Sequence, residues 1–166
     1  GKEYSLIKIF RKLLYMHSQN GMNYNVILMT PNNISKYIQI PDFFYKLLPA
    51  HQADYARVNV ICHYGGIWLD SDVLVITKLD SLFKILETYD GFFITERNNI
   101  LYNGVFGSKP NTKIMLKWKS EIDKTLHNKK QNIGWSEIGS NILTKFYLNN
   151  ELGNYNIFNG RENMYP

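Results

Sequence analysis

The sequence has a single cysteine, Cys62, in 166 residues. No intrachain disulfide can form, and no cysteine-built metal centre is available. No apolar run comes near the roughly 18 residues that a membrane span needs. Gly1 opens directly into an amphipathic pattern, without the layout of a secretory leader. These absences set the expectation of a cytoplasmic protein. The secretory-pathway lumen is the alternative if an N-terminal anchor has been removed. Prolines number five, and there is no repeat, low-complexity tract or linker. One domain over residues 1–166 is expected, long enough to bury a core.

A long basic run is missing too. Nineteen basic residues against fourteen acidic ones give a net charge of +5, but the lysines are scattered, as in IKIFRK, KWKS and HNKKQ. The scatter argues against nucleic acid as a partner. It leaves phosphorylated ligands, and peripheral contact with an anionic membrane surface, as the partners that the charge favours.

What is present is an alternation of helical and strand-like patterns. Leu6, Ile9, Phe10, Leu13 and Leu14 share one helical face within residues 3–18, and Asn20-Gly21 stops that helix. NVILMT, residues 25–30, reads as a buried strand. Short helices are expected around 34–38 and, opened by Pro41, over 42–48. Residues 50–64 read as a helix closed by Gly65, and IWL and VLVIT as strands. Further helices are expected over 81–89, 111–127 and 136–148, with strands at GFFITE and GVFGS. The alternation predicts an α/β fold with a mainly parallel central sheet flanked by helices.

Chemistry concentrates in HYGGIWLDSDVLVI, residues 63–76. Asp70 and Asp72 are two apart, so in extended backbone both point to one side. Two adjacent carboxylates repel unless a cation or proton lies between them. Hard oxygen donors suit Mg²⁺ or Mn²⁺, often completed by substrate phosphates. The same triplet could equally be a solvated turn between two strands. On the preceding helix, Asp54 and Arg57 are three apart and share a face. They read either as a surface ion pair or as a carboxylate for sugar hydroxyls beside a guanidinium for diphosphate oxygens.

ADYARVNVICHYGGIWLDSDVLVI resembles the D-x-x-R…Y-G-G-h-Y/W-h-D-x-D core of glycosyltransferases with the DxD sugar-binding region. These include capsular polysaccharide synthesis proteins, the yeast initiating mannosyltransferase type and the large clostridial glucosylating toxins. NVILMTPNNISKYIQIPDFF, NGVFGSKP and NGRENMYP extend the likeness more loosely over about residues 25–166. The resemblance implies a GT-A type nucleotide-sugar-binding fold and a UDP- or GDP-sugar donor. It implies a glycan or polysaccharide acceptor, a Mn²⁺ or Mg²⁺ cofactor, and transfer with retention at the anomeric carbon. It implies that Asp72 coordinates the metal, that Asp70 contacts metal or ribose, and that Asp54 and Arg57 hold the donor. It also implies that the family's first strand and C-terminal segment lie outside this chain. Ile138-Gly139-Ser140 stands where relatives often carry T-G-P.

Other candidates are weaker. Gly66, in the Gly-Gly break, and Asn103-Gly104 are expected at the substrate; Asn103-Gly104 also fits a plain turn. Glu137 reads as a residue facing the sugar or, with Ser136, as a helix-start signature. Trp135 is expected in the core, Tyr64 beneath the Gly turn, and Trp118 on the buried stripe of its helix. His51 and His63 have no ligand-spaced partners. Two other functions fit the motifs: a non-catalytic nucleotide-sugar or glycan-binding remnant, and a phosphatase of the haloacid-dehalogenase type, which WLDSDVLV also resembles.

Overall fold

The structure, a computed structural model, describes residues 4–19, 24–96, 99–128 and 132–160. Among the described residues five α-helices and four strands follow in order: α1 (Ser5–Ser18), α2 (Pro49–Tyr64), β1 (Gly66–Leu69), α3 (Asp80–Thr88), β2 (Gly91–Thr95), β3 (Leu101–Ser108), α4 (Lys113–Asn128), α5 (Ser140–Leu148) and β4 (Tyr155–Asn159). Among the described residues no helix is long and apolar enough to cross a membrane.

The four strands form one sheet in the order β1-β3-β2-β4. β3 runs antiparallel to both β1 and β2, and only β2 and β4 are parallel. The α/β expectation holds, but the expected mainly parallel sheet is corrected to a mixed, mostly antiparallel one. The reason is connection length. Residues 96–100 join β2 to β3, and parallel neighbours need a crossover of about a dozen residues or more. The pair therefore closes as a hairpin, and the eight-residue β3 inserts between β1 and β2.

β2 is buried at every position because both sheet faces are covered. On one face Phe93 stacks between Phe106 and Tyr155, at ring separations of 5.7 and 4.9 Å, with Trp118 of α4 against Phe106 at 5.5 Å. Each such pair contributes about 0.5–1.5 kcal/mol beyond its buried area. α2, α4 and α5 pack on this side, and Ile114, Trp118, Ile122 and Leu126 form the buried stripe of α4. On the other face Phe92, Ile94 and Val105 meet Leu82, Ile85 and Leu86 of α3.

Several local expectations are corrected. NVILMT forms no strand: residues 24–30 carry no regular structure, with Ile27 and Leu28 exposed. VLVIT is not a strand either, because after the Asp70 turn only Val75 is buried and the run finds no ladder. The short helices at 34–38 and 42–48 are single 3-10 turns, Ile34–Lys36 and Phe44–Lys46. The last helix starts at Ser140, after turns over 135–139. The Asn20-Gly21 stop and the Tyr-Pro end of NGRENMYP lie outside the described residues.

Candidate functional site

α2 carries Asp54 and Arg57 one turn apart, and both are 5% exposed. Gly65, at φ 69°, and Gly66, at φ 102°, turn the chain from α2 into β1. Such backbone favours glycine, and a Cβ on Gly65 would lie 2.8 Å from the Pro110 ring. β1 then delivers Asp70 beside α2, and β3 delivers Asn103 and Gly104 alongside.

The guanidinium of Arg57 is the hub. Its Nη2 lies 3.2 Å from Asp70 Oδ1, and its Nη1 donates to the Asn103 carbonyl at 2.7 Å. Its Nε donates to the Ala53 carbonyl at 3.3 Å and lies 3.6 Å from Asp54 Oδ1. Asn103 Nδ2 donates to that same Asp54 oxygen at 2.7 Å. Trp68 Nε1 donates to Asp70 Oδ1 at 2.7 Å, while its ring faces the Arg57 guanidinium at 5.7 Å. Asp70 Oδ1 is thus held by two donors. A Cβ on Gly104 would lie 2.9 Å from the other oxygen, Oδ2, and 2.3 Å from the Tyr102 hydroxyl. A Cβ on Gly139 would lie 2.4 Å from Asn103 Nδ2 and 2.8 Å from Asp54 Oδ1. Both glycines are places where any side chain would displace the network.

Burial dominates the electrostatics. It pushes the Asp54 carboxyl above the ordinary aspartate range, against the opposing pull of Arg57 and Asn103. Asp70 is raised as well, by burial first, with Arg57 and Trp68 pulling down and Asp72 pushing up. Burial and the charges of Asp70 and Asp72 push the Tyr102 phenol up to about 12. Asp72 is therefore electrostatically coupled to both groups. It is exposed, on the turn closed by Val73 N–H donating to the Asp70 carbonyl at 3.0 Å. The Asp-Ser-Asp triplet is a turn at the rim of a buried charge network, but it does not join two strands as one of the readings expected, because VLVIT forms no strand.

These groups wall one end of a crevice of about 1340 Å³, which Asp54, Arg57, Asp70, Asp72 and Asn103 all line. Gly66 lines it too. Glu137 stands apart from that wall: its Oε2 accepts from Gly134 N–H at 2.8 Å, which fixes the 134–139 turn. Trp135 is 76% exposed at the crevice instead of in the core. Its turn is braced by His51, whose buried Nε2 lies 3.1 Å from the Gly134 carbonyl. Tyr64 is exposed, its hydroxyl donating to the Tyr37 carbonyl at 3.0 Å, so it does not pack beneath the Gly turn. Sequence reasoning missed Trp68 and Tyr102. Trp68 had a signal: it lies two residues before Asp70 on a strand, the spacing that puts both on one side. Tyr102 had none, because its place depends on β3 lying beside β1.

The family model described as capsular polysaccharide synthesis protein matches residues 6–155. The chain belongs to this family. The matched span runs from α1 to the first residue of β4 and contains every residue of the charge network. Membership ties the chain to capsular polysaccharide synthesis. No curated protein and no solved structure matches the chain.

Proposed function

We propose that the chain is a glycosyltransferase with a GT-A type site, moving a sugar from a UDP- or GDP-sugar to a glycan or polysaccharide acceptor, with retention at the anomeric carbon. The observation that supports this most is the Asp54–Arg57–Asp70–Asn103 network at the end of a crevice large enough for a nucleotide sugar. Buried charge of this kind is costly to hold, because taking each ion out of water costs on the order of several kcal/mol. Its place at an open crevice gives a reason to retain it.

The residues fit a divalent ion. Asp70 and Asp72 are hard oxygen donors on one turn, and Gly104 adds no side chain of its own beside Asp70 Oδ2, where the Tyr102 hydroxyl also stands. Among the described residues no group of three or more His, Cys, Asp or Glu gathers as a metal site. Two carboxylates suit Mg²⁺ or Mn²⁺, which keep waters and bind substrate phosphates. When bound, the ion would supply positive charge to the diphosphate as it leaves.

The chain's own residues do the rest. Arg57 and Trp68 fix Asp70 through Oδ1, orienting Oδ2 for its ligand. Arg57 also adds fixed positive charge beneath the diphosphate. Asn103 holds Asp54, leaving Asp54 Oδ2 to accept a hydrogen bond from a donor-sugar hydroxyl. Glu137 belongs to this reading as the residue that sets the Trp135 turn over the crevice. The test is incubation with a panel of UDP- and GDP-sugars, with and without Mn²⁺, following nucleoside diphosphate release. Release that needs Mn²⁺ and disappears in Asp72→Ala supports transfer. Metal-dependent donor binding without turnover would replace it with a binding role.

A further inference from the structure

A second cavity, of about 400 Å³, lies on a different face of α2 from the charge network. Tyr55, Asn59 and Cys62 share that face because they stand four and three residues apart. Residues 37–39, Asn111, and Leu116 and Lys119 of α4 complete the wall. Tyr55 and Asn59 are only 6% and 7% exposed. Asn59 Nδ2 donates to the Tyr55 carbonyl at 2.9 Å, which orients the amide and leaves Oδ1 as its open acceptor. Among the described residues neither Asn59 Oδ1 nor the Tyr55 hydroxyl has a hydrogen-bond partner. Neither atom is sealed off, and the access they keep is to the cavity that both line. Polar groups buried this deeply are ordinarily partnered. Two of them opening on one cavity point to a ligand that supplies the partners.

The chemistry of the wall narrows the ligand. Lys119 is paired with Asp123 at 2.9 Å, so its charge is already met and an anion gains little there. Burial, with the charge of Asp123, pushes the Tyr55 phenol up to about 12, so at neutral pH it is a hydroxyl that both donates and accepts. Tyr37, Ile38 and Leu116 add apolar surface. The volume falls at the lower end of the roughly 300–1,000 Å³ usual for ligand sites. A sugar ring offers hydroxyls along its edge and C–H groups on its faces, which is the mixture that this wall complements. We propose that the cavity holds a short neutral stretch of a glycan, its hydroxyls bonded to Tyr55 and Asn59 Oδ1 and its C–H face against Tyr37 and Leu116. Membership of a polysaccharide-synthesis family supplies the glycan. Tyr37 lines both this cavity and the crevice, so a chain held here stays beside the crevice at raised local concentration. The inference uses no metal, donor or transfer step, and it stands or falls apart from the glycosyltransferase reading.

The test titrates the isotope-labelled 166-residue chain with tetrasaccharides of glucose, galactose, mannose and N-acetylglucosamine, in the absence of metal and nucleotide sugar. Amide NMR shifts are followed residue by residue. The expected result, with at least one of the four, is a saturable shift at Ile38, Asn59, Cys62 and Asn111 and none at Asp54, Asp70 or Asn103. Tyr55→Phe removes a hydroxyl that has no protein partner. It should weaken binding by about three- to tenfold, the worth of one hydrogen bond, while the melting temperature holds or rises. Leu116→Trp, at an exposed position, fills the cavity mouth and should abolish the shifts. No shift with any of the four sugars overturns the proposal, as does a shift confined to the crevice. Undiminished binding in both variants overturns it too. The matching monosaccharides should bind more weakly, and affinity equal to the tetrasaccharides' overturns a glycan as the source in favour of a free sugar.

Discussion

Arg57 Nη2 of α2 lies 3.2 Å from Asp70 Oδ1 at the end of β1, and this pair ties the buried helix to the edge of the sheet. All three guanidinium nitrogens have protein partners, so Arg57 is a structural bolt. Arg57→Ala leaves Asp54 and Asp70 without their cation. The expected loss is on the order of 2–4 kcal/mol, below the fully buried limit because Asp70 keeps some solvent contact. Arg57→Lys loses less, since the charge stays and the fork goes. Urea unfolding midpoints of both variants measure this; equal midpoints for Arg57→Ala and the native chain would falsify the bolt.

Asp54→Asn separates stability from chemistry. Burial raises the folded-state pKa of Asp54 above its ordinary value of 3.8. The folded chain then binds this proton more readily than the unfolded chain does. Stability therefore falls as pH rises from the unfolded value through the folded one, and levels off above it. Asn removes that fall. The variant should keep or gain stability at neutral pH relative to the native chain, with the difference growing from acid to neutral pH, while donor turnover drops. Unfolding midpoints across a pH series decide it, and a deficit that widens with pH contradicts the sign.

Trp68→Phe keeps a ring under Arg57 and deletes the Nε1–H bond to Asp70 Oδ1. A hydrogen bond to a charged group contributes about 1.5–3 kcal/mol, and the lower end applies to a partly exposed acceptor. The apparent Mn²⁺ requirement should shift to higher concentration, because Asp70 loses its second anchor. An unshifted Mn²⁺ titration with normal turnover would show that Arg57 alone positions Asp70.

Gly139→Ala places a Cβ within 2.8 Å of Asp54 Oδ1 and 2.4 Å of Asn103 Nδ2. Overpacking of this kind destabilises by about 1–3 kcal/mol. The displaced Asn103–Asp54 bond should lower donor binding more than it lowers the unfolding midpoint. Calorimetric titration with UDP and Mn²⁺, beside a thermal melt, gives both quantities.

Asp72→Asn is the converse case. Asp72 is exposed on its turn, so stability should stay within about 0.5 kcal/mol. Metal-dependent diphosphate binding should vanish. Retained Mn²⁺-dependent UDP binding in this variant would remove Asp72 from the site.

The residues that came together were legible because they sit on short, strongly patterned stretches. Asp54 and Arg57 share a helix face at a spacing of three, and the Gly-Gly break fixes how α2 hands over to β1. The last helix, read from Ser136, starts four residues later because Glu137 turns back to Gly134 N–H instead of opening a helix. VLVIT and NVILMT carry strand composition, yet a strand exists only where a ladder partner does, and a partner is not a local property. Trp135 illustrates the same point: an indole is apolar wherever it stands, and only the packing of the 134–139 turn decides that it faces the crevice.

By itself the sequence determined the α/β character, the helix–glycine–strand unit and the identity of the charged groups, because these depend on spacing within one or two elements. The tertiary structure alone decided the rest. The short β2–β3 link made the sheet mostly antiparallel, and that brought Asn103, Gly104 and Tyr102 beside Asp70. α2 packed against the sheet, and burial raised the proton affinity of two carboxylates that in solution would be ordinary. Charge is written in the sequence, but the dielectric around it is set by what folds over it.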